Sequence, residues 1–308
     1  MTQIGLRDWI ANTMRSLAII AGLLTLSAAA IITRAGTGPQ DGPPAGYPLT
    51  LALDEEFSSP VLNRSVWSRT FAGPRQPNSL ITQRTLYGNA EREVYVDPDY
   101  RGLRLEPLSI HDGMLTITAA PLDSGARQVI LAELDHLPQR QNLALRRITY
   151  SSGMISSRDR FAQKYGYWES RMRWSGGKGI WPAFWLLPQD GRWPPEIDIM
   201  EALGDQPSRV FSSTHSNIAQ HNTTLPVTLA GSSNKFHTYG ALWLPDRIEY
   251  YIDGKKTVSI PVSADMTQPM YMVLNLAVGG NWPGYPDDTT TLPAHLDIAY
   301  IKVWRLSQ

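Results

Sequence analysis

Three carboxylates fall within six residues at Glu196, Asp198 and Glu201, in the run Trp193-Pro194-Pro195-Glu196-Ile197-Asp198-Ile199-Met200-Glu201. The bulky apolar residues between them point to a β-strand whose other face is buried. Side chains alternate along a strand with period two, so Glu196 and Asp198 share a face while Glu201, five positions on, faces the other way. A β-bulge at Ile199 or Met200 absorbs the extra residue and returns Glu201 to the face of the other two acids. Two carboxyls about 5 Å apart suit retaining glycoside hydrolysis: one attacks the anomeric carbon, the other protonates the leaving oxygen and later activates water. In that scheme Glu196 is the nucleophile and Glu201 the acid/base. Asp198 hydrogen-bonds the nucleophile, and the charge of Glu196 raises the pKa of Glu201. A solvated acidic strand edge and a cation site of three carboxylates are the alternatives the same residues leave open.

The rest of the 308-residue chain has to position these groups. From Leu49 onward it shows short runs bounded by turn residues and little 3.6-residue periodicity. Strands are predicted around residues 113–119, 165–174, 247–254 and 296–306, with Asp112-Gly113 and Asp253-Gly254 as tight turns. The expected fold class is all-β, a β-sandwich jelly roll of two antiparallel sheets with a concave substrate cleft. Residues 121–147, with Leu-Ala-Glu-Leu and Leu-Ala-Leu-Arg-Arg runs, read as a partly helical surface insertion.

Composition narrows the partners. Lys plus Arg number 28 and Asp plus Glu 28, so no charge excess favours nucleic acid or an anionic membrane surface, and a neutral polymer fits better. The absence of cysteine removes disulfides, thiolate nucleophiles and cysteine metal sites. Ten Trp and thirteen Tyr against six Phe suit both stacking on sugars and ordinary sheet packing. Residues 16–33 are uncharged and rich in Leu, Ile and Ala, with Arg7 and Arg15 before and Arg34 after. Residues 1–34 are therefore read as a signal peptide or membrane anchor that engages the membrane or export machinery. Export is expected, to the periplasm, the exterior or a tether on the cytoplasmic membrane. Residues 35–48, rich in Gly and Pro, read as a linker, and residues 49–308 as the catalytic domain.

Glu-Ile-Asp-Ile-Met-Glu resembles the active-site motif of glycoside hydrolase family 16 in the bulged form of its laminarinase-like members. Other stretches follow in that family's order. Leu53-Asp54-Glu55-Glu56-Phe57 resembles its opening strand, and Gly88-Asn89-Ala90-Glu91-Arg92-Glu93-Val94-Tyr95 its Gly-Asn-Asn-Glu-x-Gln-Tyr stretch. Residues 150–155, 165–171, 179–188 and 275–284 are further matches, so the resemblance covers essentially all of 50–306. It implies retention of configuration and the roles given above to Glu196, Asp198 and Glu201.

The resemblance also implies Trp181 and Trp185 as subsite walls, with buried aromatics as the alternative. Asn89, Glu91 and Arg171 become contacts to sugar hydroxyls, although Glu91 and Arg171 also suit a supporting salt bridge. His215 falls beside the acid/base, and Trp282, in a loop of Asn, Gly and Pro, is a candidate substrate-binding aromatic. Asp297, with the backbone of Gly113, is implied to hold a structural Ca²⁺ away from the cleft, while catalysis itself uses no cofactor.

Two departures bear on the substrate: the long 121–147 insertion, and Asn89-Ala90-Glu91 followed by Glu93 where Gln is frequent. The stretch 87–95 and the Trp-Pro-Pro before Glu196 are more similar to the family's bacterial exopolysaccharide branch. The expected activity is endo-acting hydrolysis of β-1,3 or mixed β-1,3/1,4 glucan. Depolymerisation of a succinoglycan-type bacterial exopolysaccharide, transglycosylation and non-catalytic carbohydrate binding are carried beside it. A polysaccharide is the expected partner, and a monomer the expected state.

Overall fold

The computed structural model describes residues 41–73, 80–218, 222–229 and 234–307. The 1–34 segment and linker residues 35–40 lie outside them. The strands, numbered β1 to β16 in chain order, form two stacked sheets. The six-stranded sheet runs β11 (Thr223–Thr228), β10 (Arg209–His215), β9 (Glu196–Ala202), β8 (Ile180–Pro188), β15 (Met270–Val278), β6 (Met154–Ser156). The other runs β14 (Lys255–Pro261), β13 (Arg247–Ile252), β12 (His237–Trp243), β7 (Gly166–Trp174), β16 (Ala294–Leu306), β4 (Met114–Pro121), β5 (Tyr150–Ser152), β2 (Glu93–Tyr95). β1 (Leu49–Glu55) adds to β16, and β3 (Leu108–His111) to β4. All pairs are antiparallel except β2 with β5. The result is the expected jelly roll, with the concave outer face of the six-stranded sheet forming the cleft.

Alternation places the residues. On β7, Trp168, Met172 and Trp174 enter the core between the sheets, where they meet Ile197, Ile199 and Met200 of β9. Tyr167, Glu169, Arg171 and Arg173 consequently point to the outer face of the larger sheet. Asp112 and Gly113 both have positive φ (53° and 69°), as do Asp253 and Gly254 (50° and 72°). These are the left-handed residues of two-residue hairpins, and the Asp-Gly spacing announced both.

The insertion is helical, as predicted, and has its own small core. α1 (Ser124–Glu133) is capped by Asp123, whose Oδ1 accepts from Ala126 N at 2.7 Å. α2 (Gln139–Leu145) follows. Ile130, Leu134, Leu145 and Ile148 pack on Ile81, Val94, Val96 and Tyr100, so the insertion buttresses the segment that leads into β2. Glu133 ties the two together: its carboxylate accepts from Ile81 N at 2.8 Å, Tyr100 Oη at 2.8 Å and Arg101 Nε at 3.0 Å. Replacing Glu133 with Ala should remove about 2–3 kcal/mol of stability and lower the melting temperature by roughly 5 °C or more, read by calorimetry.

The linker reading differs from the structure at residues 41–48, which are seated on the outer face of the larger sheet. Gly42 N donates to Glu169 Oε1 at 3.0 Å, and Thr238 Oγ1 donates to Asp41 Oδ1 at 3.1 Å. Tyr47 and Leu49 pack with Tyr167, Leu242, Tyr251 and Trp304. Glu169, fully buried and also bonded by the hydroxyls of Tyr167 (2.8 Å) and Tyr300 (2.9 Å), uses the Gly42 N–H as a further donor. That requirement orders a Gly/Pro-rich stretch whose composition alone signals a tether.

Candidate active site

The bulge in β9 falls at Ile199. On β10, Phe211 pairs with Glu201 and Ser213 with Asp198, so Ser212 alone opposes two residues. On β8, Phe184 pairs with Met200 and Trp185 with Asp198, skipping Ile199 in the same way. Ser212 Oγ donates to the Ile199 carbonyl at 3.1 Å, which satisfies the group freed by the bulge. Ile197, Ile199, Met200 and Ala202 all enter the core, and Glu196, Asp198 and Glu201 all face the cleft.

Each acid has a different environment. Glu196, partly exposed, accepts from Trp193 Nε1 at 2.6 Å. Asp198 is 2 % exposed, and its Oδ2 lies 3.2 Å from His215 Nε2. Burial pushes Asp198 well above the usual carboxylate range, helped by the charge of Glu196 and a hydrogen bond shared with it. The shift favours the protonated form of Asp198, in a hydrogen bond with Glu196. Glu201, 8 % exposed, accepts from Trp181 Nε1 at 3.0 Å through Oε1. Burial pushes it well above the ordinary value, negative charge on Asp198 or Glu196 adds to this whenever it is present, and His215 and the Trp181 N–H oppose it.

Because the Trp181 N–H favours the ionised form of Glu201, replacing Trp181 with Phe should raise the Glu201 pKa further. In the acid role expected of it, Glu201 gives a proton to the leaving group, and that proton is lost as pH rises through its pKa. The alkaline limb of kcat/KM against pH is expected to move to higher pH in W181F, whatever happens to KM.

Aromatic residues wall the cleft on both sides of the acids. Trp282, 40 % exposed, meets Trp181 edge-to-face at 5.4 Å and Phe211 at 4.9 Å. On the other side Trp193 tilts over Trp185 at 5.5 Å, and Phe71 lies 6.0 Å from Trp185 and 5.7 Å from Tyr95. Trp185 is only 4 % exposed and its Nε1 donates to Asn275 Oδ1 at 2.7 Å, so it forms floor beneath Trp193. Trp193, Phe211, Tyr95, Phe71 and Asn275 join the site without having been singled out. Trp193 had a signal, three positions before Glu196, whereas Phe71 and Phe211 are distant in sequence and carry none.

Asn89 and Glu91 lie together, Asn89 Nδ2 donating to Glu91 Oε1 at 3.1 Å, and Glu91 is 3 % exposed behind it. Arg171 is a correction. It stands on the outer face of the larger sheet, across the core from Glu196, 3.9 Å from Asp41 and with its guanidinium 5.6 Å from the Phe236 ring. Strand parity with the buried Met172 turns it there, so it makes no salt bridge with Glu91 and no contact in the cleft.

The calcium expectation also fails the fit. Asp297 Oδ1 accepts from Thr116 Oγ1 at 2.7 Å and Oδ2 from Arg173 Nε at 2.8 Å, so a guanidinium already neutralises it. It pairs across the strands with Thr116, three residues from Gly113, too far for a shared ion with 2.3–2.6 Å bonds. Glu196, Asp198 and His215 bring one donor atom each within 4.8 Å of one another. Two carboxylates and an imidazole fall short of the six or more oxygens of a Ca²⁺ site. A recess of about 590 Å³ beside Asp54, Glu56 and Phe57 lies between β1 and the β3–β4 hairpin and takes no part in this constellation.

A jelly roll with a bulged cleft strand, a buried acid held by a tryptophan and a second, more exposed carboxyl is the arrangement that two-carboxyl glycoside hydrolysis needs. The sequence profile of Glycosyl hydrolases family 16 matches residues 125–302, more than half of the chain, and the chain belongs to that family. It is 40% identical over 264 residues to the Endo-1,3-1,4-beta-glycanase ExsH of Rhizobium meliloti (strain 1021), covering 84% of this chain and 52% of that one. It is 39% identical to the Endo-1,3-1,4-beta-glycanase EglC of the same organism, with the same coverage of each. This chain thus spans about half the length of these relatives. Among solved structures, the laminarinase catalytic domain of Thermotoga maritima MSB8 superposes with a TM-score of 0.66 at 27% identity, covering 84% of this chain and 99% of that one. The endo-beta-1,3-glucanase of Pyrococcus furiosus gives 0.68 at 26% identity, covering 86% and 97%.

Proposed function

We propose that the chain is a retaining endo-β-glycanase that hydrolyses β-1,3 or mixed β-1,3/1,4-linked glucan-type polysaccharide. The observation that carries this is the bulge at Ile199, which sets Glu196 and Glu201 on one face with different partners and different burial. In the first step the Glu196 carboxylate attacks the anomeric carbon. The bond to the leaving sugar breaks as Glu201 gives its proton to the departing oxygen. In the second step Glu201 takes a proton from water, the oxygen attacks the same carbon, and Glu196 is released. Asp198, donating to Glu196, stabilises the charge that reappears there. Two inversions give retention, and neither step calls for a cofactor. An acceptor sugar in place of water makes the same intermediate a transglycosylation branch.

An open cleft walled by aromatics on both sides of the acids supports endo attack on a polymer. The names of the two Rhizobium relatives support a glycan with β-1,3 and β-1,4 linkages. A second reading, trimming of a succinoglycan-type bacterial exopolysaccharide, is favoured by the helical insertion that shores up the wall carrying Asn89 and by Glu93 in that wall. The uncharged 16–33 stretch supports export to where such polymers lie. Reducing-end release by the purified chain on laminarin, lichenan, curdlan and succinoglycan tests the proposal and separates the substrates. Oligosaccharides from the first three place it among glucanases, and from succinoglycan alone, the second reading. Binding without cleavage of any of them overturns the catalytic assignment.

A further inference from the structure

Two acids that the reaction does not use are buried at the end of the cleft floor. Glu91 is 3 % exposed and Glu93 fully buried, and they lie against each other within hydrogen-bonding reach. Glu91 Oε1 accepts from Asn89 Nδ2, and Glu93 Oε2 accepts from Val278 N at 2.8 Å. The remaining oxygens, Glu91 Oε2 and Glu93 Oε1, are buried and make no well-formed hydrogen bond among the described residues, with the Leu86 N–H near Glu91 and the Tyr95 hydroxyl near Glu93 as the donors at hand. Two carboxylates in this position would set bare oxygens and like charges together in a low-dielectric interior, whereas one proton between them satisfies both.

The pair is joined to the floor. The Tyr95 hydroxyl lies against Glu93 and accepts from Asn275 Nδ2 at 2.9 Å, and Asn275 Oδ1 in turn accepts from Trp185. On the other side Glu91 holds Asn89, whose carbonyl accepts from Asn281 N at 2.8 Å, next to Trp282. We propose that Glu91 and Glu93 share one proton as an acid–carboxylate pair, and that this pair positions Asn89 and the Tyr95–Asn275–Trp185 floor for substrate. They are positioning residues, and their kinetic role rests on the glycanase reading above.

The surroundings contain little else that titrates. Facing the pair are Asn89 and the Leu86 N–H from the preceding turn, Tyr95 from β2, and Asn275 and the Val278 N–H from β15. Tyr150 of β5 is the register partner of Glu93. Arg92 places its guanidinium over the Tyr285 ring at 4.2 Å and donates to the Arg147 carbonyl at 3.4 Å, and Arg84 pairs with Asp97 at 2.8 Å. No ion pair reaches either carboxyl among the described residues. Burial raises both acids above the ordinary carboxylate value, in keeping with a retained proton.

The sign follows. A raised folded-state pKa contributes stability that is present at low pH and lost as pH rises through the folded value. Glu93→Gln replaces the shared proton by an amide: the amide oxygen accepts from Val278 N and its NH₂ donates to Glu91 at every pH. The test compares wild type, Glu93→Gln and Glu93→Ala in melting temperature from pH 5 to 9 and in kinetics on the best polymer found. The Glu201 contribution is common to all three and cancels in the difference. Expected is an E93Q protein that matches wild type at pH 5 and out-melts it by a margin that widens toward pH 9. E93A is expected to raise KM by about tenfold with a smaller change in kcat, and E93Q to restore KM at low pH. A melting difference between wild type and E93Q that does not change with pH overturns the shared proton, and does so without reference to hydrolysis. An unchanged KM in E93A overturns the positioning role. If E93A does not fold, Glu91→Gln takes its place, with the introduced amide donating to Glu93, and must show the same widening melting gap.

Discussion

Replacing Glu196 with Gln should leave a folded protein that binds polymer and releases almost no oligosaccharide, with kcat lowered by about 10⁴-fold or more. The substitution is nearly isosteric, and the amide oxygen still accepts from Trp193 Nε1, which reaches the wild-type carboxylate at 2.6 Å. The core contacts of β9 come from Ile197, Ile199, Met200 and Ala202, none of which is touched. On the proposed mechanism, what disappears is the anionic oxygen that bonds to the anomeric carbon, and no other group on that face can replace it. Asp198 is buried behind it, and burial holds its carboxyl well above the usual carboxylate range, which disfavours the charged form a nucleophile needs. Reducing-end assays with E196Q beside wild type, and binding measured on the same polymer, separate lost chemistry from lost affinity. A variant within tenfold of wild type in kcat would remove Glu196 from the reaction.

Replacing Glu201 with Ala should cost about 10²–10⁴-fold on natural polymer, the usual scale of general acid–base catalysis. The size of the loss should depend on the leaving group. An aryl glycoside with an acidic phenol departs without help, so its first step survives while deglycosylation stalls for want of a base. Added azide, a nucleophile that needs no deprotonation, should then restore turnover and yield a glycosyl azide of retained configuration. The alkaline limb that Glu201 imposes on the wild-type pH profile should vanish from the rescued reaction. A uniform loss on all substrates with no azide response would place Glu201 in a supporting role.

The shared face of the three acids was legible because parity is a strict rule: acids at 196, 198 and 201 share a face only if one residue is looped out, and Ile199 is that residue. The jelly roll was legible from short strands and the two Asp-Gly turns, both of which have the positive φ that hairpins need. The same parity, followed through β7, would have turned Arg171 away from the cleft, since Trp168 and Met172 are the apolar members of that strand. Asp297 departs from the calcium expectation for another reason: its partner Arg173 lies 124 positions away and is brought beside it only by the pairing of β16 with β7. The seating of residues 41–48 depends likewise on the buried Glu169, and the Glu91–Glu93–Tyr95–Asn275–Trp185 chain on contacts spanning up to 180 positions. Long-range satisfaction of buried polar groups leaves no local pattern, which is why these parts of the site became visible only in the folded chain.

The central claim is that Glu196 forms a covalent bond to the sugar. A 2-deoxy-2-fluoro β-glucan oligosaccharide with a dinitrophenyl leaving group slows both steps but keeps the first accessible, so the glycosyl-enzyme accumulates. Peptide mapping by mass spectrometry should find the added sugar mass on the peptide containing residues 196–201, with fragmentation placing it on Glu196. A label on Asp198 or Glu201, or turnover of the parent glycoside with inverted configuration and no adduct, would contradict the account.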